Sequence, residues 1–138
     1  MNKMDFDENL EKEAMNKLMI TEEQKNAMVL SVADKLSNIF KITESGEVLF
    51  LDIQTLNEEQ AILFLLIGKC FSARWKLIPS NLMKINGIAR TLNRPRKLIS
   101  AKIKDLSAKG IIRKDFRGYY IPGLRLIEVA RQVVEAQQ

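Results

Sequence analysis

Two arginines bracket a proline at Arg94-Pro95-Arg96, and a helix beginning there would set their cations at its first turn. Helical spacing then places Lys97, Ala101, Lys104 and Ala108 on one face, with Ser100 beside it, opposite Ile99, Ile103 and Leu106. Such a face has the chemistry for reading a polyanion whose groove edge carries hydrogen-bonding groups. Arginine is shaped to take two hydrogen bonds from guanine, lysine and serine serve phosphates or base edges, and the Ala101 methyl can meet the methyl of thymine. A helix that was merely solvated would usually alternate Glu with Lys for i,i+4 pairing, whereas this one carries only Asp105. Further on, Arg113, Lys114 and Arg117 lie in and beside a turn-forming tetrad, Asp115-Phe116-Arg117-Gly118, where they would meet phosphates.

The same inventory argues against catalysis. Histidine is absent, which removes imidazole acid–base chemistry, the Ser-His-Asp arrangement and histidine ligation of metals together. Cys70 is the only cysteine, so neither an internal disulfide nor a multi-cysteine metal site is available, and its apolar neighbourhood reads as a buried small side chain in a reducing cytoplasm. No nucleophile–base pair can be assembled; no enzyme, catalytic residue, cofactor or metal is expected.

Charge is unevenly distributed. Residues 1–60 hold six Lys/Arg against thirteen Asp/Glu, and residues 61–138 hold sixteen against four, so the listless total of +5 conceals a chain with an acidic front and a basic back. A domain-sized positive field of this kind attracts polyphosphate. The longest apolar run, Ala61–Ile67, is far short of the about 20 residues a membrane helix needs, so no membrane partner is expected. The acidic start lacks the basic-then-apolar order of a secretory signal, which points to a cytoplasmic, nucleoid-associated protein.

The elements that must position the basic residues follow from periodicity and punctuation. Phe6, Leu10, Ala14 and Leu18 form one helical stripe, Thr21 and Gln24 have capping-box spacing, and Val29, Val32, Ala33, Leu36, Ile39 and Phe40 form a second stripe. Ser45-Gly46 interrupts the pattern, leaving Val48–Leu51 as a strand or an extended linker. Asn57 with Gln60 begins the next helix, and Ala61–Phe71 is apolar on nearly every side, as befits the centre of a core. Leu82–Lys84 reads as a short strand. Asn86 then caps a helix to Leu92, closed by Asn93 in a left-handed conformation, and the basic helix runs from Pro95 to Lys109 and stops at Gly110. Strands at Ile111–Lys114 and Tyr119–Ile121 form a hairpin, with Tyr119 and Tyr120 on opposite faces and one of them in the core.

The residues Ile88-Ala89-Arg90-Thr91-Leu92, then Ile99, Ile103 and Leu106, then Gly110-Ile111-Ile112-Arg113 and Tyr119-Tyr120-Ile121-Pro122 carry a resemblance. Their pattern resembles that of small winged helix-turn-helix transcription regulators of bacteria and archaea, over roughly Asn57–Gln138. The resemblance implies a mainly α fold with a small β-hairpin wing (α+β) and a nucleic-acid-binding domain over residues 57–138; residues 1–56, outside it, read from their periodicity as an acidic helical extension. It also implies that the helix from Pro95 enters the major groove of double-stranded DNA with its first turns nearest the bases, while the wing follows the backbone. The expected DNA contacts are then Arg94, Arg96, Lys97, Ser100, Ala101, Lys104, Arg113, Lys114 and Arg117. The same pattern occurs in scaffolds of transcription, replication or segregation complexes and in sequence-tolerant RNA or nucleoid binders, and these are the alternative functions.

A homodimer is the expected state. The last helix, Leu124–Ala136, has only a narrow polar stripe at Arg125, Glu128, Gln132 and Glu135, so it needs burial on two sides, and Ile127, Ala130 and Val134 are the expected dimer contacts. The stripe at Val29, Leu36 and Phe40 is the competing surface. A protein partner could dock on residues 1–56.

Overall fold

A computed structural model of the chain describes residues Glu8–Ala136. Among these residues the architecture is mainly helical with two small antiparallel hairpins. Helices α1 (Glu8–Leu18) and α2 (Glu22–Leu36) are followed by strands β1 (Phe40–Ile42) and β2 (Val48–Phe50). Helices α3 (Glu58–Arg74), α4 (Ile85–Leu92) and α5 (Arg96–Ala108) precede strands β3 (Arg113–Asp115) and β4 (Gly118–Tyr120), and α6 (Leu126–Glu135) ends the order. No helix among the described residues is long and apolar enough to cross a membrane.

The chain divides into two units, one ending at Ser31 and one beginning at Val32. In the first, α1 buries none of its residues, and Phe6 of its expected stripe lies outside the described residues. The capping box at the start of α2 forms, with Gln24 N donating to Thr21 Oγ1 and Thr21 N donating to Gln24 Oε1, both at 3.0 Å.

The second unit is built around α3. Every residue from Ala61 to Gly68 is buried, as are Cys70, Phe71 and Ser72, and the helix starts at the expected capping box between Asn57 and Gln60. The unit begins well upstream of Asn57 because the first hairpin belongs to it. The apolar stripe of α2 does not continue as helix to Phe40. The helix ends at Leu36, and Phe40-Lys41-Ile42 pairs with Val48-Leu49-Phe50 in the register Phe40↔Phe50. This hairpin lies flat on α3 where Gly68 removes the obstacle: a Cβ there would stand 2.5 Å from Val48 Cγ2. Ser72 Oγ, fully buried, donates to Gly46 O at 3.0 Å and fixes the turn, and the Phe40 ring meets Phe50 and Phe64 at centroid distances of 6.2 and 6.4 Å.

Helices α4 and α5 pack on each other and on α3 through Ile88, Ala89, Leu92, Ile99, Ile103 and Leu106, all buried. Helix α6 also packs on α3, which takes up two of the three expected dimer contacts. Ala130 and Val134 are buried within the chain together with Leu126, Val129 and Val133, and Ile127 is half-buried. Most of the apolar circumference expected to need a second molecule is buried within the chain, where α6 packs on α3. Of the competing stripe, Leu36 and Phe40 are core residues, whereas Val29 is half-buried.

Candidate nucleic-acid interface

The turn between α4 and α5 sets the direction of the basic helix. Asn93 takes the left-handed conformation (φ 53°, ψ 50°), Arg94 N donates back to Ala89 O at 3.0 Å, and Pro95 caps α5 with φ −58°. At its far end, Gly110 N and Ile111 N donate to Ser107 O and Leu106 O, and Arg125 Nη1 donates to Gly110 O at 2.6 Å. A helix closed at both ends in this way presents its outer residues from a fixed frame.

Arg94 is not part of that presentation. Its side chain is only 15% exposed and pairs with Glu58 at 2.7 Å, while its other terminal nitrogen donates to Ile53 O at 2.9 Å and Leu56 O at 2.7 Å. With the guanidinium spent on a carboxylate and two backbone carbonyls, the expected base contact by Arg94 is withdrawn. The residue instead clasps the α4–α5 turn to the start of α3.

Arg96, by contrast, is exposed, and its Nε donates to Asn86 Oδ1. Asn86 was expected to cap α4, but the helix begins at Ile85 with Lys84 as its first flanking residue. Asn86 therefore sits in the first turn, free to steady Arg96. Lys97, Ala101 and Lys104 are exposed along α5, and Ser100 is half-buried.

The β3–β4 hairpin supplies the facing wall. Its register is Arg113↔Tyr120, Lys114↔Tyr119 and Asp115↔Gly118, so the first strand starts two residues later and the second ends one residue earlier than expected, while both reach one residue further into the turn. The expected strand at Leu82–Lys84 is reduced to a single bridge, in which Met83 N donates to Tyr119 O at 3.0 Å and Tyr119 N donates to Met83 O at 2.8 Å. Gly118 permits this approach, because a Cβ on it would lie 2.7 Å from Met83 O. At the tip, Arg117 N donates to Asp115 Oδ1 at 3.0 Å, and Arg117 Nε stands 3.8 Å from the same oxygen. Neither tyrosine enters the core; both are half-buried, with the Lys114 ammonium 5.8 Å above the Tyr119 ring.

Between α4, the first turn of α5 and the hairpin runs an open groove of about 270 Å³, which brings together Lys84, Arg96, Lys114 and Arg117. Asp115 also lines it, but its carboxylate is engaged by Arg117. Comparison with known proteins returns no matching family model, no curated relative and no solved structure of significant similarity. The reading of this groove therefore rests on its geometry and charge.

Of the nine sequence-derived contacts, the groove collects Arg96, Lys114 and Arg117. Lys97, Ser100, Ala101 and Lys104 continue along α5 beyond it, Arg113 is exposed on β3, and Arg94 is excluded. Three residues escaped the sequence reading. Lys84 flanks the groove because α4 starts earlier than Asn86 implied. Leu98 is an exposed apolar residue on α5, and Phe116, at the hairpin tip, is 91% exposed. An aromatic residue inside an otherwise polar turn tetrad was the available signal for Phe116.

A second cavity, of about 490 Å³, shares Asp115 and Arg117 with the groove and is further bordered by Cys70, Arg74, Asn81 and Tyr120. Burial pushes the Cys70 thiol up, and a hydrogen bond from Asn81 and the nearby Arg74 cation draw it part-way back.

Proposed function

We propose that this protein binds double-stranded DNA as a winged helix-turn-helix, with α5 in the major groove and the β3–β4 hairpin as a wing on the backbone. The observation that carries this reading is the groove in which Lys84, Arg96, Lys114 and Arg117 converge against a single carboxylate, Asp115, which Arg117 partners, leaving three cations unopposed by it. Four cations around one open channel, on rigid elements, match a phosphate backbone better than they match a buried small molecule. Arg96 is the candidate for bidentate base contact, and Lys97, Lys104 and Lys114 for phosphates.

A dimeric transcription regulator remains the biological role this reading favours, with the self-association surface relocated. The exposed Met15, Leu18, Met19, Ile20 and Leu30 offer apolar area, in the acidic helices and the link between them, that α6 does not offer. These same residues support the second reading, a scaffold that docks another protein through its acidic front.

The test is titration of the full-length protein with random-sequence duplex at several salt concentrations, followed by selection of preferred sites. Binding that weakens steeply with salt and resolves into a preferred sequence supports the reading. No duplex binding at low salt overturns it in favour of the scaffold.

A further inference from the structure

We infer that Phe116 is a wedge that inserts from the minor groove against a base step of duplex DNA, a role that deepens the DNA-binding reading and rests on it. The starting point is an apolar ring that the fold makes no attempt to cover. Phe116 is 91% exposed, the most exposed large hydrophobic among the described residues, and the Arg117 guanidinium stands 5.4 Å from its ring. It also lines the basic groove, so it stands where the proposed partner would lie.

The tip is held in shape. Asp115 accepts from Arg117 N at 3.0 Å, and the Met83–Tyr119 bridge anchors the strands just behind the turn. Phe116 is thus projected by a short, pinned turn and does not trail from a loose loop. Only two residues, Phe116 and Arg117, separate the last strand pair Asp115↔Gly118. A minor groove about 6 Å wide cannot take the whole hairpin, but it can admit such a tip. The shortness of the wing limits its depth to one side chain, and that side chain is the phenyl ring.

The surroundings select the partner. Lys84, Arg96, Lys114 and Arg117 line the same groove as the ring, and all four are exposed. An apolar protein surface would have to desolvate these cations in order to cover the ring. DNA offers phosphates to the cations and the flat apolar faces of bases to the ring in one surface. Insertion of an apolar side chain unstacks a base step and kinks the duplex, and it comes most easily at pyrimidine–purine steps such as TA.

The experiment compares two duplexes of identical composition. Alternating poly(dA-dT) contains TA steps throughout; poly(dA)·poly(dT) is a stiff A-tract with a narrow minor groove. The wedge predicts that the wild-type protein prefers the alternating duplex. It also predicts that Phe116→Ala loses about tenfold in affinity there, within the range that aromatic–base stacking supplies, with Phe116→Leu in between. The salt dependence of binding should be the same in Phe116→Ala as in the wild type, because no phosphate contact is removed. Circular dichroism should also be unchanged, since the residue is fully displayed. A wing acting through charge alone would instead favour the narrow groove of the A-tract. Wild-type affinity of Phe116→Ala for both duplexes, or an A-tract preference in the wild type, overturns the wedge while leaving DNA binding intact. If the wild type binds neither duplex at low salt, both the wedge and the DNA-binding reading fall.

Discussion

The two hairpins are alike in size and opposite in use. Each has two antiparallel strands of three residues. The β1–β2 hairpin lies against α3, with Phe40 and Val48 buried and its turn tied down by Ser72. The β3–β4 hairpin buries little of its own: Arg113 and Lys114 are exposed on one strand, both tyrosines are half-buried on the other, and a phenylalanine stands in solvent at the tip. The contrast shows that a phenylalanine in a short hairpin has no fixed meaning. Its role is set by what the neighbouring helix removes or leaves. Gly68 makes room for one hairpin, and nothing comparable covers the tip of the other.

The comparison can be broken most forcefully at Phe40. Phe40→Ala should cost about 3–5 kcal/mol of stability, as expected when a buried aromatic leaves a cavity, whereas Phe116→Ala should stay within about 0.5 kcal/mol of the wild type. Urea denaturation of the two variants checks this, and equal losses would erase the distinction between the hairpins. Next in size, Arg94→Ala should destabilise the chain by about 1–3 kcal/mol, because it strands Glu58 and the carbonyls of Ile53 and Leu56. Its effect on DNA affinity should disappear once the fraction folded is taken into account.

Arg96→Ala should behave in the reverse manner, leaving the melting temperature in place and costing about 1–3 kcal/mol at a selected DNA site but much less on random duplex. Equal losses on both would reduce Arg96 to a backbone contact. The smallest effect is expected from Lys114→Gln, which should lower the slope of log affinity against log salt by about 1 without changing sequence preference. A shifted preference would mean that the second hairpin reads bases through Lys114.

Much of the fold was legible in the sequence because it depends on local signals. The Asn57 and Gln60 box, the all-round apolar run of α3 and the Asn93-Arg94-Pro95 junction each specify their own element within a few residues. What escaped depends on distant chain. Arg94 has the type and position of a base-reading residue, and only the carbonyls of Ile53 and Leu56, far away in sequence, show that it is engaged elsewhere. The apolar α6 could not reveal whether α3 or a second molecule would cover it. Ile39 and Phe40 kept helical spacing beyond the true end of α2, and pairing with Val48–Phe50 overrode that pattern. At the candidate site, the basic residues were visible from composition and spacing. The groove that selects among them arises only when α4 and the second hairpin are brought together.

The Met83–Tyr119 bridge has a mechanical corollary. Met83 lies just ahead of α4, and Tyr119 belongs to the hairpin, so paired backbone hydrogen bonds join the two jaws of the groove near its base. The bridge acts as the stop of a caliper. Under the proposed DNA binding, a duplex seated against both jaws would meet a spacing set by that stop, and the work of deformation would fall on the duplex.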